Sequence, residues 1–214
     1  MIGTLGHTKA RTNFGILCGW TCLAAGVLGA LSGIALLLID PAVSRDRYSY
    51  PLSSGDFAAV QAWFFIQHFG LLAGQIALLQ SGVLGRRKVV TRGQWVAIAG
   101  MLGLAATELL AVMAAKSKYP SDGTYVLDAL YTFTTIAIGG GLIAAAIGVL
   151  RTPAARRAET WITLALGGWV FVPMIPAIIA GFTPARLGIS GWMLLYAVLG
   201  WALVRGERPT RIST

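Results

Sequence analysis

Six apolar stretches, residues 14–39, 57–83, 95–115, 126–150, 161–182 and 187–204, dominate this chain and leave it few ways to fold. An α-helix needs about 20 apolar residues to cross the hydrocarbon core of a bilayer. The first five stretches exceed that length, and the sixth is slightly short but within the tolerated range. Inside lipid every backbone N–H and C=O must be bonded without water, so each stretch is expected to be a helix. The predicted fold is an all-α integral membrane bundle of six transmembrane helices.

Composition agrees with a bilayer as the solvent. Hydrophobic residues make up 56% of the chain and charged residues 12%, against about 25% charged in soluble domains. A soluble fold of this length has too little interior to hide so much apolar surface. No segment between the stretches is long enough for a separate soluble unit, so residues 1–214 are read as a single polytopic membrane domain. The net charge of +9 raises the question of nucleic acid. Yet the basic residues lie in short clusters between apolar stretches, which is a topology signal and not a binding stripe, so no nucleic-acid partner is expected.

Those clusters orient the bundle. With the N-terminus inside, the inner segments carry Lys9, Arg11, Arg86, Arg87, Lys88, Arg92, Arg151, Arg156, Arg157, Arg205, Arg208 and Arg211. The outer segments carry Arg45, Arg47, Lys116, Lys118 and Arg186, together with the acidic Asp40, Asp46, Asp56 and Asp122. The positive-inside rule then predicts N-in and C-in. The stretch Met1–Asn13 is short and polar, the run after it is longer than a signal h-region, and no clean A-x-A exit follows, so no cleavable signal peptide is expected. Arg outnumbers Lys and both Ala and Gly are abundant, a composition that suggests a GC-rich bacterial genome and hence a bacterial plasma membrane.

Small residues mark where helices meet. Cys18, Cys22, Gly26, Gly29 and Gly33 follow one side of the first stretch, and Gly139, Gly140 and Gly141 precede Ala144, Ala145 and Gly148 in the fourth. Such faces let backbones approach where no hydrophobic effect drives association, either within the chain or in a homo-oligomer. The two cysteines, at i and i+4, read as part of this packing and not as metal ligands, since no His or acid stands near them in sequence. Pro173 and Pro176 remove two backbone donors and predict a kinked or unwound fifth helix. A basic turn followed by a Trp recurs at residues 71–95 and 142–161, a similarity that ordinary hairpin constraints largely explain.

Ionisable groups inside an apolar stretch are costly and point to function. Three are picked out: His68, Glu108 and Asp128. Gln61, His68 and Gln75 recur every seven residues and so share one face of the second helix; interhelical hydrogen bonding, worth about 1 kcal/mol each, accounts for them as well as ligand contact does. Glu108 lies about 20 Å from the inner edge of the third stretch. Ionising a carboxyl there is costly unless a cation or several donors face it, and a proton that can be given up suits general acid catalysis or proton coupling. Asp128 is placed in the first turn of the fourth helix, where it can serve the helix dipole; Thr132 and Thr135 share its face, with Tyr131 beside them. Glu108, His68 and Asp128 are therefore the expected catalytic residues, and Gln61, Trp63, Gln75, Tyr131, Thr132 and Thr135 the expected ligand contacts.

Aromatic residues flank these positions. Trp63, Phe64, Phe65, Phe69, Trp169, Phe171, Trp192 and Tyr196 are mostly expected to contact lipid or anchor the interface, with some available to stack on a ligand. The outer loop 40–56 is expected to be a solvated connector, with a lid as the alternative. Walker A, H-E-x-x-H and G-x-S-x-G motifs are lacking, and with His7 in the N-terminal tail the chain offers no bis-His haem site; no cofactor and no metal are expected.

Three functions fit. The first is an outward-facing intramembrane pocket for a lipophilic small molecule or lipid, such as an isoprenoid, with acid–base chemistry at Glu108. The second is a small proton-coupled transporter, which the Pro173/Pro176 break favours. The third is an accessory subunit. The first is preferred because the inner halves of the third and fourth stretches offer almost no polar side chain to a hydrophilic substrate. Membrane lipids are the expected surroundings.

Overall fold

The computed structural model describes residues 3–150 and 152–206. The side chains of His7, Lys9, Arg11, Arg151, Arg156, Arg208 and Arg211, most of which enter the topology count, lie outside what it describes. The described residues form seven α-helices: α1 (Gly3–Ala35), α2 (Ser54–Ser81), α3 (Lys88–Met113), α4 (Asp122–Ile147), α5 (Ala158–Trp169), α6 (Ile175–Ala180) and α7 (Phe182–Gly206). A π-turn, Val170–Met174, joins α5 to α6, so α5 and α6 act as one broken rod. Six helical stretches are long and apolar enough to cross a membrane, as in a multi-pass membrane protein.

Helix ends follow local chemistry more than hydropathy. The apolar run of α1 continues to Ile39, but the helix stops at Ala35 and tightens into turns ahead of Asp40–Pro41, because a residue before proline avoids the helical region. α2 begins before its apolar run. Ser53 caps it, its Oγ accepting from the Asp56 N–H at 3.2 Å and donating to Asp56 Oδ2 at 2.6 Å, and Gly82 closes it in the left-handed region at φ 63°. α3 starts seven residues ahead of Trp95, within the basic loop. α4 starts at a Ser121/Thr124 capping box with Asp122 in its first turn. This corrects the position of Asp128, which lies in the second turn and is not part of the N-terminal cap.

The broken fifth span is as proline chemistry requires. Pro173 has no N–H to offer four residues back, and the Ile175 N–H reaches the Val170 carbonyl five residues back instead. Single π-turns of this kind are the usual way a helix absorbs such a defect.

Neighbouring helices touch in the order α1, α2, α3, α4, α5, α7 and back to α1, with α2 also meeting α7. The closest approaches are at glycines. A Cβ on Gly93 would stand 2.5 Å from the Gly141 carbonyl oxygen, and one on Gly141 would stand 2.5 Å from the Gly93 oxygen. Gly26 abuts the Met193 and Ala197 backbone of α7, and Gly167 that of Gly139. Gly29 makes room for the Gln67 amide, and Gly74 for the Cys22 thiol. Within this chain the glycine faces are thus used between its own helices. Cys22 Sγ also donates to the Tyr196 carbonyl at 3.3 Å.

Two apolar clusters result. The larger fills the middle and the basic-loop half around Leu71, Met101, Leu142, Leu166 and Tyr196. The smaller lies at the opposite, long-loop end, where Leu36, Leu52, Phe57, Ala111 and Ala115 pack with Tyr48, Phe64, Tyr131 and Phe182. Trp192 and Tyr196 are 2% and 0% exposed and pack edge to face at 5.1 Å. They are core residues, against the expectation of lipid contact, because α7 lies between α1, α2 and α5. The indole N–H of Trp192 finds the Leu166 carbonyl at 3.1 Å and that of Trp169 the Gly188 carbonyl at 2.8 Å.

Candidate functional site

Glu108 projects from α3 into the smaller cluster, between α2 and α4. Its Oε2 accepts from Gln61 Nε2 at 2.9 Å and from the Tyr131 hydroxyl at 2.7 Å, and Gln61 Nε2 also donates to Tyr131 Oη at 3.0 Å. Three helices therefore meet at one carboxyl oxygen. On α2, His68 is buried with Nδ1 donating to the Phe64 carbonyl at 2.6 Å. A carbonyl only accepts, so Nδ1 carries the hydrogen and Nε2 is the atom left for chemistry. Among the described residues, fully sealed polar atoms without a partner occur on Ser49, Gln67, Gln75, Gln94 and Ser190. Glu108 Oε1 and His68 Nε2 are not among them, although neither has a hydrogen-bond partner among the described residues.

Arg186 completes the site and was not anticipated. Hydropathy assigned it to a loop, but α7 begins at Phe182 and carries it in its second turn. Its guanidinium lies over the Phe182 ring at 5.3 Å, half-buried and within electrostatic reach of Glu108, Tyr131 and Tyr48. His68 also stands within electrostatic reach of Glu108. The legible signal for Arg186 was its position directly before Leu187, inside an otherwise apolar run.

The loop 36–53 is folded against this end, with Ser44–Arg47 exposed to solvent and Ser49 and Leu52 buried beneath, so it is solvated on its outer side and anchored on its inner one. Its backbone pairs with the loop between α3 and α4: the Tyr48 N–H donates to Ser117 O at 3.1 Å and the Tyr119 N–H to Asp46 O at 2.7 Å. Arg47 Nη1 adds a bond to Lys116 O at 2.6 Å. Tyr48 inserts its ring against Phe57 and Tyr119, at 6.0 and 5.9 Å. Burial pushes the Tyr48 phenol well above its ordinary range, and the nearby Asp128 and Glu108 carboxylates add to this; burial and Asp128 raise Tyr119 likewise. Asp46, at the surface of the loop, is held low by its hydrogen bond from Ser44.

The expected site residues divide into two groups. Gln61, Glu108 and Tyr131 are bonded together, His68 stands within electrostatic reach, and Asp128 lies half-buried facing Tyr119 and Tyr48. Thr132 is exposed and bonded to the Asp128 carbonyl at 2.7 Å, and Thr135 is half-buried without a bond into the cluster among the described residues. Tyr131, directly before Thr132, turns inward. Trp63 faces α1, donating to Ser32 Oγ at 3.0 Å. Gln75 lies four turns from Gln61, with Nε2 donating to Tyr196 Oη at 2.6 Å.

Fourteen residues along α2 from Gln61 and fourteen back along α3 from Glu108 stand Gln75 and Gln94, both buried. The basic-loop half thus has more buried polar groups than the apolar run beginning at Trp95 suggested. Gln67, also unanticipated, is buried with Nε2 donating to Ala25 O at 3.0 Å.

Two cavities adjoin these groups. One, of about 260 Å³, lies between the end of α1 and the start of α7, lined by residues that include Leu36, Asp40, Tyr50 and Phe182. It shares Leu36 and Phe182 with the cluster around Glu108. The other, about 560 Å³, is an apolar groove between α1 and α2 that contains Trp20, Trp63 and Gln67. Neither is lined by Glu108. No family model matches the chain, and neither a curated protein nor a solved structure matches it.

Proposed function

We propose that the long-loop end is an acid–base site for a lipophilic molecule or lipid taken from the bilayer, with Glu108 as the group that exchanges a proton. One observation carries this reading. Glu108 is gripped on one oxygen by Gln61 and Tyr131, its other oxygen has no hydrogen-bond partner among the described residues, and His68 stands within electrostatic reach. A purely structural carboxyl buried among apolar side chains would be expected to bond through both oxygens, since an unmet polar atom costs about 1–3 kcal/mol. The small cavity walled by Phe182 offers an entry, because Phe182 also carries the Arg186 guanidinium that acts on Glu108. The exposed lining of this cavity is mostly polar, which suits the hydroxyl or carbonyl end of a ligand whose apolar body stays in the bilayer. By the distribution of Lys and Arg this end faces outward, and the composition fits a bacterial plasma membrane.

A carrier is the second reading, favoured by the π-turn at Pro173 and by the buried Gln75, Gln94 and Tyr196 in the other half of the bundle. Organic extracts of the purified full-length chain, read by mass spectrometry, test the proposal. Wild type should retain one lipophilic species in near-stoichiometric amount, and Glu108→Gln should lose about 90% of it, as removal of one charged hydrogen bond worth about 1.5 kcal/mol implies. Identical extracts from the two proteins would overturn the ligand reading.

A further inference from the structure

The start of α3 is built against its own dipole. Its N-cap residue, Arg87, makes no side-chain capping bond, and its first turn holds no acidic residue. α2 and α4, which start at the opposite end, carry Asp56 and Asp122 in their first turns, where a carboxylate stabilises the helix. At α3 the exposed side chains are instead Arg86, Arg87, Lys88 and Arg92, four cations within seven residues. Cations at a helix N-terminus are unfavourable for the helix itself. Arg87 is engaged, with Nη1 donating to Gly148 O at 3.1 Å. Arg86, Lys88 and Arg92 have no hydrogen-bond partner among the described residues.

At the long-loop end three of five cations are engaged and the side chains of Lys116 and Lys118 have no hydrogen-bond partner among the described residues, while at the basic-loop end Arg205 lies over Trp201. Arg45 stacks on Tyr50, Arg47 bonds the Lys116 carbonyl and Arg186 lies over Phe182. Exposed indoles also collect toward the basic-loop end. Trp95, one turn beyond Arg92, is 57% exposed and Trp161, in the first turn of α5, 56%. Amphipathic rings in such positions mark the headgroup level of a bilayer. The unengaged cations therefore stand where lipid phosphates lie.

We propose that Arg86, Lys88 and Arg92 form a binding site for the headgroup of an anionic phospholipid in the adjoining leaflet, with Trp95 packed against the ester region beneath it. The charge that the helix lacks at its N-terminus is then supplied by the phosphodiester, and basic clusters beside membrane helices attract such lipids. This site is separate from Glu108, and its success or failure does not bear on the acid–base reading.

The test is native mass spectrometry of the full-length chain released from micelles holding equimolar phosphatidylglycerol and phosphatidylcholine. Wild type should retain phosphatidylglycerol selectively. Replacing the three residues together (Arg86→Gln, Lys88→Gln, Arg92→Gln) should lower that selectivity at least tenfold, and Arg92→Gln alone about fivefold, the factor expected per cation. The matched substitutions at the other end (Arg45→Gln, Lys116→Gln, Lys118→Gln) should leave it unchanged. Equal retention by wild type and the triple variant would overturn the site. So would an equal loss in the matched control, which would mean diffuse net charge, or full displacement of the lipid by an equal concentration of inorganic phosphate, which would mean a free-phosphate site.

Discussion

Gly141→Ala should cost the bundle about 1–3 kcal/mol, whereas Gly140→Ala, one residue away, should stabilise it by up to about 1 kcal/mol. The added methyl is the same, and only its surroundings differ. At 141 it would meet the Gly93 carbonyl oxygen at 2.5 Å and the Ala97 amide nitrogen at 2.7 Å, both backbone atoms that cannot swing aside. α3 and α4 would have to separate along their length, loosening the contact that sets Tyr131 against Glu108. At 140 nothing lies within 4 Å, so the gain in helix propensity stands alone. A larger group at 141, as in Gly141→Leu, should leave little folded protein. Thermal unfolding in detergent, with size-exclusion profiles of each variant, reads the contrast. Equal behaviour of the two alanine variants would mean that the α3–α4 contact is not the close backbone packing described above.

Glu108→Leu and Glu108→Gln should part company just as clearly. Leucine removes the acceptor for Gln61 and Tyr131, and each buried donor left unmet costs about 1–3 kcal/mol. Gln61 can still donate to Tyr131, so the Tyr131 hydroxyl is the group stranded by the change. Glutamine keeps a carbonyl oxygen where Oε2 stands and turns its amide toward the His68 side, where Nε2 can accept. Its stability should stay within about 0.5 kcal/mol of wild type. It has no acidic proton to exchange, so any activity that needs one is lost from a folded protein. Unfolding curves beside a substrate or transport assay separate the two effects, and a fully active Glu108→Gln would end the acid–base reading.

The spans themselves were legible because a bilayer demands long apolar runs and little else. Their ends were not. Ser53 and the Ser121/Thr124 pair start helices several residues before the apolar runs begin, and α3 and α7 likewise continue into charged sequence. That is why Arg186 seemed to belong to a loop and Asp128 to a first turn. Glu108 stood out as a carboxyl in lipid, and Gln61 as its companion on a polar stripe. Choosing Tyr131 over its neighbour Thr132 required the rotation of α4 about its axis. The Gly93–Gly141 and Gly139–Gly167 contacts set that rotation, and they are long-range events that periodicity alone does not specify. The anchoring of the loop 36–53 was not legible for a similar reason: its polar residues are solvated, as they look in sequence, yet its backbone pairs with a loop about seventy residues away.

The proposed function requires Glu108 to exchange a proton within an apolar, capped end of the bundle. A hydrophobic carbodiimide, which reaches carboxyls from the lipid phase and reacts with their protonated form, tests it on the protein in proteoliposomes, with the modified residue identified by mass spectrometry of peptides. Glu108 should be modified, its rate should change with pH, and the loop acids Asp40 and Asp46 should stay unlabelled, as should Asp56 at the start of α2. Labelling confined to the loop acids, or a Glu108 that stays unmodified at every pH, would contradict the claim and leave the carboxyl as a structural hydrogen-bond acceptor.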